Sequence, residues 1–234
     1  MNEMPSKSAD LIRVVILEDC PVVREGLAHC LAQQGGVEVC GHTDAPDEAR
    51  GLTARAHGCV LLMDVMHDGE DGVEFARTVI AEYPTVRVLV FSLQDEGVYA
   101  ERMLRAGAMG YVTKRAPVAE IVLAIRTVAA DGIYVSPRLS LVLLGRLLHP
   151  AAKHEGKNGI GSLTARELYV FQLLGAGIRV RDIGARLGVS AKTVQAHREN
   201  MKNKLGFDTA TELTRHAALW LRDHGGSSTR RSKT

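Results

Sequence analysis

The chain predicts an α/β unit, built as a doubly wound five-stranded parallel sheet, followed by a small all-α unit. Three observations carry that expectation. Short β-branched or apolar runs alternate five times with amphipathic segments between residues 13 and 130, the pattern of strands joined by crossover helices. Beyond residue 160 the apolar residues recur only at helical spacing. Charge also changes sign: residues 1–135 hold 12 Lys+Arg against 20 Asp+Glu, whereas residues 136–234 hold 17 against 7. An acidic unit and a basic unit suit different partners, the basic one a polyanion and the acidic one a cation.

Residues 13–18 (RVVILE) form the first strand, and Asp19 follows it. Pro21 then opens a helix that carries Val22, Val23, Leu27, Cys30 and Leu31. The alternation continues with strand 37–41 and helix 46–57, strand 59–64 and helix 73–83, strand 86–91 and helix 97–106, then strand 110–112 and helix 118–130. The segment GIYVSP (132–137) ends this unit. Leu139, Leu141, Val142, Leu143, Leu144, Leu147 and Leu148 make an apolar helix, which must bury against its own unit or a second copy. Pro150 and the Gly-rich stretch 153–161 read as a tether.

In the last part, Thr164 and Glu167 have capping-box spacing, with Leu163 and Leu168 placed to staple the helix start. That helix ends at residues 175–177. A second helix spans 180–187, the turn Gly188-Val189-Ser190 follows, and a third helix spans 191–205. Two short helices across a Gly-containing turn are a helix-turn-helix. A fourth helix begins near Asp208.

The polar residues at the carboxyl ends of the strands converge on one crevice, because open α/β sheets gather chemistry there. They are Glu18 and Asp19, Asp64, Ser92 and Lys114. Three carboxylates together call for a hard divalent cation with oxygen ligands, magnesium above others. A lysine and a hydroxyl on the rim fit a phosphoryl group. Asp64 is then the nucleophile, Glu18 and Asp19 are metal anchors, and the backbone carbonyl of Met66 is a further ligand.

This set, in this order and spacing, resembles the receiver domain of two-component response regulators over residues 12–132. The resemblance implies a flavodoxin-like fold and an Asp64 that takes a phosphoryl group from a sensor histidine kinase or a small phosphodonor. Ser92 and Lys114 then engage the phosphoryl oxygens, and Tyr111 reports the change: Ser92 moves toward the new charge and Tyr111 rotates into the space it leaves. The loop after Asp64 departs from the family's Met-Pro-Gly and carries His67, Asp68 and Gly69. A haloacid-dehalogenase-like phosphatase also uses an Asp nucleophile, but needs a carboxylate where Met66 stands.

On the third helix, Val194, His197, Met201 and Leu205 share one face and predict a core contact. Lys192, Thr193, Gln195, Ala196, Glu199 and Lys202, with Arg198 at the flank, are the candidate DNA-reading residues: cations for phosphates, and short polar or small side chains for base edges. The runs LTARE and IGARLGVSAKTVQAHRENMKNKLG closely resemble the LuxR-type DNA-binding domain, over 162–224. Joined to a receiver through a linker at 133–161, they match the NarL/FixJ class. That resemblance implies a transcription factor that binds paired half-sites in the major groove as a homodimer, and not a substrate-turnover enzyme. A regulator that binds DNA independently of phosphorylation and keeps the receiver as a docking module is the alternative. The cysteines Cys20, Cys30, Cys40 and Cys59 lack CxxC spacing, and no signal-like or membrane-spanning run is present. The expectation is a cytoplasmic protein with reduced thiols.

Overall fold

A computed structural model describes residues 11–67, 70–148 and 159–224. The chain separates into two compact units, 1–149 and 150–234. In the first, β1 (Ile12–Leu17), β2 (Val37–Thr43), β3 (Val60–Met63), β6 (Arg87–Ser92) and β7 (Gly110–Thr113) pair in parallel in the order β2-β1-β3-β6-β7. The helices between them are α1 (Pro21–Ala32), α2 (Pro46–Arg55), α3 (Gly72–Glu82), α4 (Glu96–Arg105) and α5 (Val118–Ala129). Val14, Ile16, Val60, Leu62, Leu89 and Phe91 share a core with Leu27 and Leu31 of α1 and with Ile121, Ile125 and Val128 of α5. Their strand neighbours Val15, Leu17, Leu61, Met63, Val88 and Val90 are equally buried. A sheet covered on both faces needs continuous apolar strands, which explains the lack of alternation in the sequence.

The elements start where side chains satisfy them. Pro21 stands in the first turn of α1, Asp71 accepts from the amides of Val73 and Glu74 at the start of α3, and Asp95 accepts from Gly97 at the start of α4. Between β3 and α3 lies a two-stranded hairpin absent from the sequence reading, β4 (Met66–His67) with β5 (Glu70–Asp71), paired antiparallel. Two-residue strands are too short to leave a periodicity. Gly72 follows because a Cβ there would stand 2.3 Å from the Val65 carbonyl oxygen. The linker helix α6 (Pro137–Leu148) packs on α4 and buries Leu139, while Leu141, Val142 and Leu144 stay exposed. Among its described side chains Leu139 is the one fully buried, so α6 docks on its own unit there.

The second unit holds a short 3-10 turn (Ile160–Ser162), α7 (Ala165–Gly175), α8 (Val180–Arg186), α9 (Ala191–Leu205) and α10 (Ala210–His224). The capping box is present: Thr164 accepts from the Glu167 amide at 3.1 Å, and Glu167 accepts from the Thr164 amide at 2.8 Å. Leu163 and Leu168 are both buried. Helix α10 starts later than Asp208 because the amides of Asp208 and Thr209 donate to Glu212 and Thr209 in turn accepts from the Glu212 amide. Phe171 packs its ring against His216 and Trp220, and Phe207 packs against His216. These contacts bind α7 and α10 into one core. No helix among the described residues is long and apolar enough to cross a membrane.

Candidate phosphoacceptor site and nucleic-acid interface

The sheet ladder extends past the strand ends and so fixes the site residues. The Glu18 amide donates to the Thr43 carbonyl, that of Asp64 to Leu17, and that of Lys114 to Ser92. β1 and β3 are adjacent at the point where the chain reverses its order across the sheet, and their carboxyl ends open a crevice there. Glu18, Asp19 and Asp64 bring ligand oxygens within 4.8 Å of one another. Ser92 donates to Asp64 Oδ1 at 2.5 Å, and Lys114 Nζ lies 2.5 Å from Asp64 Oδ2 and 2.6 Å from Glu18 Oε2. All five strand-end residues thus meet in one place.

Burial pushes the Glu18 carboxyl above its usual range, with Asp64 adding to the rise and Lys114 opposing it. Burial alone pulls the Lys114 ammonium down, but Asp64 and Glu18 outweigh it and the net shift is upward. Three carboxylates against one ammonium leave two negative charges, which one divalent cation balances. The donors are hard oxygens, so the cluster fits magnesium in both charge and ligand type. Met66 lies two residues past Asp64 in β4, whereas Asp68 and Gly69 fall outside the described residues, as does the His67 side chain.

Tyr111 is buried, and its hydroxyl donates to the Gln94 carbonyl at 3.0 Å. Burial holds its phenol well above the ordinary range. The sequence reading has Ser92 moving toward a phosphorylated Asp64 and Tyr111 turning inward. Here Ser92 already reaches Asp64 and the Tyr111 ring is already inside, because the bare carboxylate is itself an acceptor for the hydroxyl. One positioning residue escaped the sequence reading. Arg24 of α1 donates to the Glu18 carbonyl at 2.8 Å and pairs with Asp44 at 3.3 Å, which pins the loop that carries Glu18 and Asp19.

In the second unit, Val194 and Met201 are fully buried and His197 and Leu205 half-buried, as their spacing predicts. Burial lowers the His197 pKa, and the nearby Arg166 charge adds to the effect. Lys192, Thr193, Gln195, Ala196 and Glu199 are exposed on α9. Thr193 shares a hydrogen bond with Ser190, the N-cap of α9, at 2.9 Å. Arg198 donates to Gln195 at 3.1 Å, and Lys202 pairs with Glu199 at 2.9 Å while its side chain is only 17% exposed. Lys202 is therefore less free than the sequence suggests. Arg166 and Glu167 are structural: Arg166 donates to the Leu187 carbonyl at 2.8 Å, and buried Glu167 pairs with Lys204 of α9 at 2.6 Å. Sequence reasoning passed over Arg181 and Arg186, exposed on α8, though the first helix of a helix-turn-helix generally crosses the phosphate backbone.

Residues 14–126 match the family model of the response regulator receiver domain, and residues 161–217 match that of bacterial regulatory proteins of the luxR family. The chain is 34% identical to the transcriptional regulatory protein LiaR of Bacillus subtilis over 211 residues, covering 88% of this chain and 97% of LiaR. It is 32% identical to the response regulator GacA of Pseudomonas viridiflava over 203 residues, covering 87% and 94%. Among solved structures, RcsB of Salmonella enterica serovar Typhimurium, bound to promoter rprA in the presence of phosphomimetic BeF3−, aligns with a TM-score of 0.55 at 21% identity, covering 88% of this chain and 98% of that one. That likeness concerns the fold. Full-length relatives, two matched domains and the parallel sheet agree: the chain belongs to the NarL/FixJ class of two-component response regulators, DNA-binding transcriptional regulators with a receiver domain and a LuxR-type helix-turn-helix.

Proposed function

We propose that this regulator is switched by phosphorylation of Asp64 and then binds paired DNA half-sites as a homodimer in the cytoplasm. The observation that carries this reading is the meeting of Asp64 with Glu18, Asp19, Ser92 and Lys114 in one crevice. An Asp64 carboxylate oxygen attacks the phosphorus of a donor, a histidine kinase phosphohistidine or a small acyl phosphate. The new O–P bond forms as the donor's bond to phosphorus breaks, and the electron pair leaves with the donor group. Glu18, Asp19, Asp64 and the Met66 carbonyl would hold a magnesium ion, which would supply charge neutralisation for the incoming phosphoryl oxygens. Lys114 is positioned to neutralise one phosphoryl oxygen and Ser92 to donate to another, while Tyr111 and Gln94 carry the loop between them.

On the DNA side, Lys192, Arg198 and Lys202, with Arg181 and Arg186, neutralise phosphates. Gln195, Ala196 and Glu199 face base edges, and Thr193 holds the N-terminus of α9 in register. The test is treatment of the purified protein with acetyl phosphate and magnesium, followed by intact mass. The expected result is a single phosphoryl adduct that is lost in Asp64→Asn and without metal. No adduct, under conditions that modify another receiver, would overturn the switch and favour a receiver that acts only as a docking module.

A further inference from the structure

The linker is bound to the receiver at four points. The Tyr134 amide donates to the Met109 carbonyl and its own carbonyl accepts from the Tyr111 amide, both at 2.9 Å, so Tyr134 forms a single parallel bridge to Gly110 at the edge of β7. Its hydroxyl donates to Glu120 of α5 at 2.9 Å, a bond that helps burial raise the phenol to about 12. Two residues on, Ser136 Oγ donates to Glu96 of α4 at 2.6 Å and accepts from the Leu139 amide, so one hydroxyl caps α6 and ties it to α4. Leu139 is buried at that contact.

Glu96 also lies two residues past a segment, 92–94, that hydrogen bonds tie to Asp64. Ser92 donates to Asp64, the Gln94 amide donates to Ser92 Oγ at 3.3 Å, Tyr111 donates to the Gln94 carbonyl, and Asp95 caps α4, whose first residue is Glu96. We infer that the Ser136 to Glu96 bond is a clip holding α6 on the receiver, and that the state of Asp64 sets whether it is closed. This rests on the phosphoacceptor reading above. A phosphoryl group on Asp64 places its oxygens beyond the carboxylate and recruits the Ser92 hydroxyl to them. The 92–96 segment shifts with Ser92, Glu96 withdraws from Ser136, and α6 comes off α4 with the apolar residues Leu139, Leu141, Val142 and Leu144.

Hydrogen exchange of the α6 amides in the full-length protein, followed by mass spectrometry, tests the clip. Glu96→Ala removes the acceptor and leaves the Ser136 cap in place. In the unphosphorylated protein it is expected to speed exchange across α6 by about tenfold or more, the factor for one hydrogen bond to a charged group. Wild type carrying a mass-verified adduct is expected to reach the same rate, and Glu96→Ala to gain nothing more on phosphorylation. Unchanged α6 exchange in Glu96→Ala, or in the adduct, overturns the inference. If no adduct forms, the Asp64 reading fails by itself, and Tyr111→Phe still decides the clip by cutting the Gln94 anchor without a phosphoryl group: faster α6 exchange supports it, and unchanged exchange sinks it.

Discussion

Lys114 holds two buried carboxylates with one ammonium, 2.5 Å from Asp64 and 2.6 Å from Glu18, and also lies over the Phe91 ring. Removing it leaves both carboxylates in a crevice of low dielectric without a counter-charge. Lys114→Ala is expected to cost about 3 kcal/mol, read from urea unfolding in chelator-treated buffer. Magnesium is expected to restore part of that loss, since it supplies the missing positive charge; no recovery would remove the metal from these carboxylates. The residues of the site were readable from position alone, because a polar side chain just after a buried strand has the crevice as its place. Arg24 was not, since its role depends on a fold contact between α1 and the 18–19 loop. Likewise the Lys202 to Glu199 pair is a rotamer choice that spacing leaves open.

The helix-turn-helix depends on how closely α8 meets the turn before α9. A Cβ at Gly184 would stand 2.7 Å from the Val189 carbonyl oxygen, which as backbone has little room to yield. Gly184→Ala is therefore expected to destabilise the helical unit by about 2 kcal/mol and to weaken DNA binding with it, measured by thermal unfolding and an operator shift assay. A melting curve matching wild type would mean the turn relaxes freely. Strands and helices with five or more patterned residues were found within one or two positions, since burial on two faces and helical spacing leave strong signals. What escaped was short or decided by tertiary contact: the hairpin Met66–Asp71, and the face by which α6 docks. The tether at 153–161 lies largely outside the described residues.

The opposite charges on the acidic and basic parts of the chain suit a cation at one site and a polyanion at another. If α9 enters the major groove, Lys192→Ala is expected to weaken binding to every sequence alike and to lower the slope of log affinity against log salt by about 1. Gln195→Ala should instead relax preference at one base pair, with the salt slope unchanged. Fluorescence anisotropy between low and physiological salt separates the two; identical behaviour of both variants would remove α9 as the reading helix. A property of a different kind follows from the ends of the sheet. Parallel sheets offer two rows of unpaired amides and carbonyls, which template strand addition between molecules. The Tyr134 backbone occupies part of the row on β7, and the pairing of β2 with β1 slips at Cys40. A chain cut ahead of Tyr134 would bare that part of the β7 edge and is expected to self-associate more readily than the full chain.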